Sequence, residues 1–221
     1  MSEIVVDSVT KIYNQGSQKE VIALKDISFE VKKGEVALLM GASGSGKSTL
    51  LSLIAGFLKP TFGKVVVKGE VISKLPDNFA TEFRRKNIGF IFQKFNLLED
   101  LSAKENVLLP LIPIEMKTKQ IEEKANKVIE LFSIKHKANQ KVSTLSGGEQ
   151  QRCAIARAMI NEPNIILADE PTANLDKSLS EEFIEILKDL KYMGKTILIA
   201  THDSRFEDLE FVDRKIDVFN S

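Results

Sequence analysis

Two rhythms of apolar and polar positions alternate along this chain. Short apolar runs at residues 4–6, 27–31, 36–40, 65–67, 88–92, 165–168 and 196–200 read as strands. Between several of them the apolar positions recur at helical spacing, over residues 50–58, 105–109, 118–133 and from 146 to about Ile160. In 118–133, Ile121, Ala125, Val128, Ile129 and Phe132 share one face, with lysines and glutamates opposite. A further stripe carries Leu179, Phe183, Ile186, Leu187 and Leu190. The runs 36–40 and 165–168 are apolar throughout, as strands covered on both faces are. Strands alternating with helices predict an α/β fold built on a mostly parallel sheet.

Residues 94–145 break this alternation. They show no strand run, and Pro110 and Pro113 interrupt two helical patterns. One domain over 1–221 is therefore expected, with residues 1–93 and 146–221 forming the core and 94–145 an inserted helical subdomain. The chain's 221 residues suit that size. Its 31 Lys+Arg balance 31 Asp+Glu, so there is no basic excess of the kind non-specific nucleic-acid binders carry, and no nucleic-acid partner is expected. The single cysteine, Cys153, reads as a small buried apolar residue in a reducing compartment. No signal-peptide pattern opens the sequence and no apolar run is long enough to span a bilayer, so any membrane role must come through a partner.

GASGSGKS at 41–48 follows the apolar run 36–40 and precedes a helix. Glycines there let backbone N–H groups turn inward around phosphate, and the helix N-terminus adds partial positive charge. Lys47 can reach β- and γ-phosphates, and Ser48 can put its hydroxyl on Mg²⁺. Such a loop needs a carboxylate at the end of another strand. IILADE at 165–170 supplies two: Asp169 for the metal shell and Glu170 one residue on, placed to polarise a water. LSGGEQQR at 145–152 reads first as a helix start, because Ser146 and Glu149 form a capping box. Capping does not call for Gly147 and Gly148, which are poor helix formers. Bare glycines there would let a phosphate approach the helix end.

With the loop at 41–49, Gln93, LSGGEQQR, ILADE at 166–170, Asn174-Leu175-Asp176 and Thr201-His202-Asp203 in this order, the chain resembles the nucleotide-binding subunit of ABC transporters over essentially its whole length. The resemblance implies a P-loop NTPase core, an antiparallel β subdomain near the N-terminus, and the helical subdomain at 94–145. It implies ATP and Mg²⁺ as cofactors, with Tyr13 on adenine and Gly41, Ser43, Gly44, Gly46, Lys47, Ser48 and Thr49 around the phosphates. Ser48, Gln93 and Asp169 would serve the metal. Gln93 would also touch the lytic water and sense a permease, Glu170 would be the general base, and His202 would hold the γ-phosphate and link it to Glu170. Ser146, Gly147, Gly148 and Asp176 would meet the nucleotide of a second subunit, so that a homodimer sandwiches ATP.

QKFNLL at 93–98 and ENVLLPL at 105–111 resemble the group of lipoprotein-release, macrolide-export and cell-division ABC ATPases, although Glu99-Asp100 stands where that group usually has a proline. The expected reaction is ATP hydrolysis driving membrane permease subunits, docked near Phe95, Leu97, Leu98 and Leu101, at least half of which should be core. The alternative is an ATP-driven switch of a membrane partner that regulates cell-wall enzymes without transport. The expected location is cytoplasmic, on the inner face of the membrane through the permease. No C-terminal regulatory domain is expected after His202.

Overall fold

A computed structural model describes residues 1–173 and 175–218. In chain order its elements are β1 (Ser2–Tyr13), β2 (Val21–Lys32), β3 (Val36–Met40), α1 (Lys47–Ile54), β4 (Phe62–Val67), α2 (Asp77–Asn87) and β5 (Ile88–Ile91). Then follow α3 (Ala103–Leu108), α4 (Thr118–Leu131), α5 (Gly147–Met159), β6 (Ile165–Asp169), α6 (Lys177–Tyr192), β7 (Thr196–Ala200) and β8 (Arg214–Asp217). Five strands form a parallel sheet in the order β5-β6-β7-β3-β8, and three form a separate antiparallel sheet in the order β2-β1-β4. The second sheet is the antiparallel β layer that the resemblance implied.

The all-apolar strands are apolar because the parallel sheet is covered on both sides, and period-2 geometry divides their residues between two cores. Val36, Leu38, Ile166, Ala168, Ile197 and Ile199 pack toward α5 and α6. Their neighbours Ala37, Leu39, Ile165, Leu167, Leu198 and Ala200 pack toward α1 and the antiparallel sheet. Residues 94–145 contribute α3, α4 and short 3₁₀ turns, with no strand of either sheet. They have no core of their own, since Ala103, Val107, Ala125, Val128 and Ile129 join the cluster that holds Ile91 and Ile155. Cys153 is buried there, its thiol donating to Ala103 O and pushed up to about 12 by burial.

Four features depart from the periodicity. β1 and β2 run far past the short apolar stretches, because cross-strand pairing from Ser2↔Lys32 to Tyr13↔Val21 carries the ladder through bulges and polar residues. α2 was not expected, since only Ala80 of its face is fully buried. Its signature was charge: Asp77 in the first turn and Arg84, Arg85 and Lys86 in the last complement the helix dipole. β8 is four residues with one buried side chain, Ile216, too short to show a period. On α6, Ile184 is buried, whereas Leu179 and Ile186 are only partly so.

Candidate functional site

The site begins where β3 runs out. Gly41, Gly44 and Gly46 all have positive φ, and Gly46, at 96°, caps α1 without a side chain, so Lys47 is the first helical residue. At Gly46 a side chain has no room: a Cβ would lie 2.4 Å from Ala23 O of β2. At Gly44 it would meet nothing within 4 Å. The loop therefore curls with its backbone exposed toward open space, as phosphate binding requires.

Lys47 is buried and its Nζ donates to Gly41 O (2.8 Å) and Ala42 O (3.1 Å), with Glu170 Oε1 at 3.5 Å. Ser48 Oγ donates to Asp169 Oδ1 at 2.8 Å across the gap between α1 and β6. Burial holds the Asp169 carboxyl above the usual range, with the Glu170 charge adding to it, while the Ser48 hydrogen bond and Lys47 pull the other way. Glu170 Oε2 accepts from His202 N (3.3 Å) and faces His202 Nδ1 at 2.9 Å. β6 and β7 are adjacent and parallel, so their C-terminal ends bring the two residues together from 32 positions apart.

One cavity of about 350 Å³ collects these groups: Tyr13, Ser43, Gly44, Gly46, Lys47, Ser48, Thr49, Gln93, Glu170 and His202 all line it. Gly41 and Asp169 are outside this lining and are joined to it by the hydrogen bonds from Lys47 and Ser48. The antiparallel sheet forms one wall, where Tyr13 pairs with Val21, and the exposed Val21 and Ile22 both line the cavity. Sequence reading missed Val21, Ile22 and Ala23; an exposed apolar pair on a β strand was the only local signal. It also missed Ser45, whose buried Oγ has no hydrogen-bond partner among the described residues.

Ser146, Gly147, Gly148 and Asp176 do not line this cavity. Ser146 caps α5 in the expected capping box, accepting from Glu149 N while Glu149 Oε2 accepts from Ser146 N. Gly147 faces open space, but Gly148 has a packing reason as well: a Cβ there would sit 2.5 Å from Leu179 Cδ2 of α6. Asp176 caps α6, accepting from Leu179 N at 2.9 Å. Asn174 lies outside the described residues. Of Phe95, Leu97, Leu98 and Leu101, none is fully buried and Leu98 is half exposed, which corrects the expectation that at least half are core. That segment is turned by Phe95 and Asn96, both at positive φ, whose carbonyls accept from the two arms of the Arg157 guanidinium on α5.

Among the described residues no helix is long and apolar enough to cross a membrane. The ABC transporter family profile matches residues 24–173. An uncharacterized ABC transporter ATP-binding protein of Thermotoga maritima is 45% identical over 205 residues, 93% of this chain and 85% of that one. A protein described in the same words from Methanocaldococcus jannaschii is 44% identical over 90% of this chain and 89% of its own. The ATP-binding cassette MJ0796, solved as a dimer in a post-hydrolysis state bound to ADP and Pi, superposes with a TM-score of 0.87 at 41% identity, covering 98% of this chain and 94% of that one. Clostridium perfringens cbiO1, part of the transporter complex cbiONQ, gives 0.83 at 29% identity over 99% of this chain and 85% of its own. A glycine loop between β3 and α1, two acids ending β6, and this likeness across nearly the whole chain have one reading: the chain belongs to the ABC transporter family, as its ATP-hydrolysing domain.

Proposed function

We propose that two copies of this chain close around ATP and drive a membrane permease. The observation that carries the reading is the convergence of Lys47, the Ser48–Asp169 pair and the Glu170–His202 pair on one cavity. The donor set fits Mg²⁺: a hydroxyl and a buried carboxylate 2.8 Å apart, with the Gln93 amide at the rim, are hard oxygen ligands that leave room for phosphate oxygens. The orphaned Ser45 Oγ fits a loop that takes a further hydrogen-bonding partner from an anion. Bound there, Mg²⁺ neutralises charge on the β- and γ-phosphates.

Lys47 leaves the carbonyls of Gly41 and Ala42 and turns to the phosphates. Loop amides between Ser43 and Thr49 cradle them, and Tyr13 with Val21 and Ile22 offers an apolar wall to the base. Glu170 takes a proton from water aligned by its contact with His202, whose ring reaches the γ-phosphate. Positioning and charge stabilisation account for this chemistry, with no covalent intermediate.

Ser146, Gly147, Gly148 and Asp176 stand off their own chain's cavity, and MJ0796 was solved as a dimer. Facing a second copy, the open start of α5 completes the partner's site from the other side. The permease docks beside Gln93, where Phe57, Phe90, Phe92 and Pro113 together with Arg84 and Arg85 line a groove of about 300 Å³ and Leu98 is exposed nearby in sequence. Such docking places the protein on the cytoplasmic face of the membrane.

The experiment is light scattering with ATP. Glu170→Gln protein binds ATP, hardly turns it over and runs as a dimer. Adding Ser146→Arg returns it to monomer. A dimer that survives Ser146→Arg removes the shared-site reading, and normal turnover by Glu170→Gln removes the base assignment.

A further inference from the structure

Glu170 is held in a backbone conformation that its residue type does not favour. Its φ is 43°, in the left-handed region, and it precedes Pro171, whose ring pushes a preceding residue toward extended backbone. Such a residue keeps its shape only where the surroundings overdetermine it. Four hydrogen bonds do so. Glu170 N–H donates to Ala200 O at 2.8 Å, and Ala173 N–H donates to Glu170 O at 3.2 Å. Thr172 Oγ1 donates to Asp203 Oδ2 at 2.8 Å. From the opposite side, Gln151 Nε2 donates to Pro171 O at 3.1 Å.

The last bond is the unusual one. Gln151 is a buried polar side chain on α5, a helix whose other buried side chains, Cys153, Ala154, Ile155, Ala156 and Met159, are small or apolar. A long amide among such neighbours costs free energy unless its polar atoms find partners. Here an N–H goes to the carbonyl immediately following the proposed base. α5 is also the helix that begins at Ser146 and Gly147, and Leu179 of α6 lies over Gly148 too closely to admit a side chain there. The backbone beneath Glu170 is thereby tied to the element that carries the other half-site.

We infer that Gln151 is a positioning residue for hydrolysis: its amide pins the Pro171 carbonyl, and so holds the strained Glu170 backbone that aims the carboxylate at Lys47 and His202. The inference rests on reading Glu170 as the base. It gives LSGGEQQR a second task within its own chain, distinct from meeting a partner's phosphate.

The test is a kinetic cycle on the 221-residue chain. Gln151→Met keeps the length and bulk of the side chain but removes the donor, and Gln151→Asn keeps an amide drawn back by one methylene. Both should lower kcat by about tenfold or more while KM for ATP stays within about twofold, because the base is misplaced and the nucleotide cradle is not. In the Glu170→Gln background, Gln151→Met should slow the residual turnover no further, since there is no base left to position. Gln151→Met with kcat within about twofold of the parent overturns the inference. So does a double variant that loses the same factor again, which marks a general structural role. Failure of the base assignment reads differently: Glu170→Gln itself then turns over. Should Gln151→Met not fold, Gln151→Asn carries the same cycle.

Discussion

Gly44 and Gly46 make a paired prediction, because the structure separates two costs that a glycine motif normally confounds. Both residues are left-handed, at φ 81° and 96°. Replacing either by alanine incurs the left-handed penalty, about 1–2 kcal/mol. At Gly44 that is the whole cost, as a Cβ meets nothing within 4 Å. At Gly46 the Cβ would stand 2.4 Å from Ala23 O and 2.7 Å from Leu24 Cδ2. A carbon–oxygen contact wants about 3.3 Å, so the backbone of β2 must retreat by about 0.9 Å. Overpacking of that kind adds about 1–3 kcal/mol. The totals are about 1–2 kcal/mol for Gly44→Ala and about 2–5 kcal/mol for Gly46→Ala. For a domain of this size each kcal/mol moves the melting temperature by about 2–4 °C, so the shifts are roughly 2–8 °C and roughly 4–20 °C. Thermal unfolding followed by circular dichroism measures both, without nucleotide so that binding does not enter. Ala23→Gly added to Gly46→Ala should give no rescue, because what Ala23 puts in the way is its carbonyl and not its methyl. Gly46→Ala melting no lower than Gly44→Ala would refute the reasoning, and so would rescue by Ala23→Gly.

Other predictions are shorter. Gly147→Ala, at an open helix start, should leave the melting temperature level or raise it by the few degrees that about 0.5–1 kcal/mol provides, yet lower ATPase turnover; full turnover would show that the bare start meets no phosphate. Gly148→Ala should be helped by Leu179→Ala, which removes the methyl that the new Cβ would strike, and unfolding midpoints in urea decide this. Burial raises the folded pKa of Asp169, so its ionisation costs stability that is fully present below 3.8 and lost as pH rises through the raised value. Asp169→Asn should therefore melt higher than the parent at pH 7, lose that advantage below pH 3.8, and fail to hydrolyse ATP at either; no gain at pH 7 would contradict the burial argument. Arg157→Lys keeps the charge but loses the fork that holds both the Phe95 and Asn96 carbonyls, and should cost about 1–3 kcal/mol of stability in a urea titration. An unchanged midpoint would mean those left-handed residues need no clamp.

Local physics made much of this protein legible before any coordinates. Runs such as 36–40 and 165–168 have one stable use, a strand buried on both faces, because a polar residue on either side would lose its hydration without repayment. The glycine loop, the acids ending β6 and the capping box of Ser146 and Glu149 are likewise short-range: spacing alone decides them. What depends on distant partners stayed hidden. The extent of β1 and β2 is set by cross-strand pairing and not by their own polar residues. α2 hides because it buries almost nothing, and β8 because one buried side chain cannot display a period. That Lys47, Glu170 and His202 meet had no local signal and was implied only by the family resemblance; strand order brings it about by placing the ends of β3, β6 and β7 side by side. Tertiary structure alone decided that Gly148 answers to Leu179 and that Gln151 reaches Pro171. A sequence reports what each residue prefers within a few positions; which carbonyl a buried amide finds is settled only when separate elements pack.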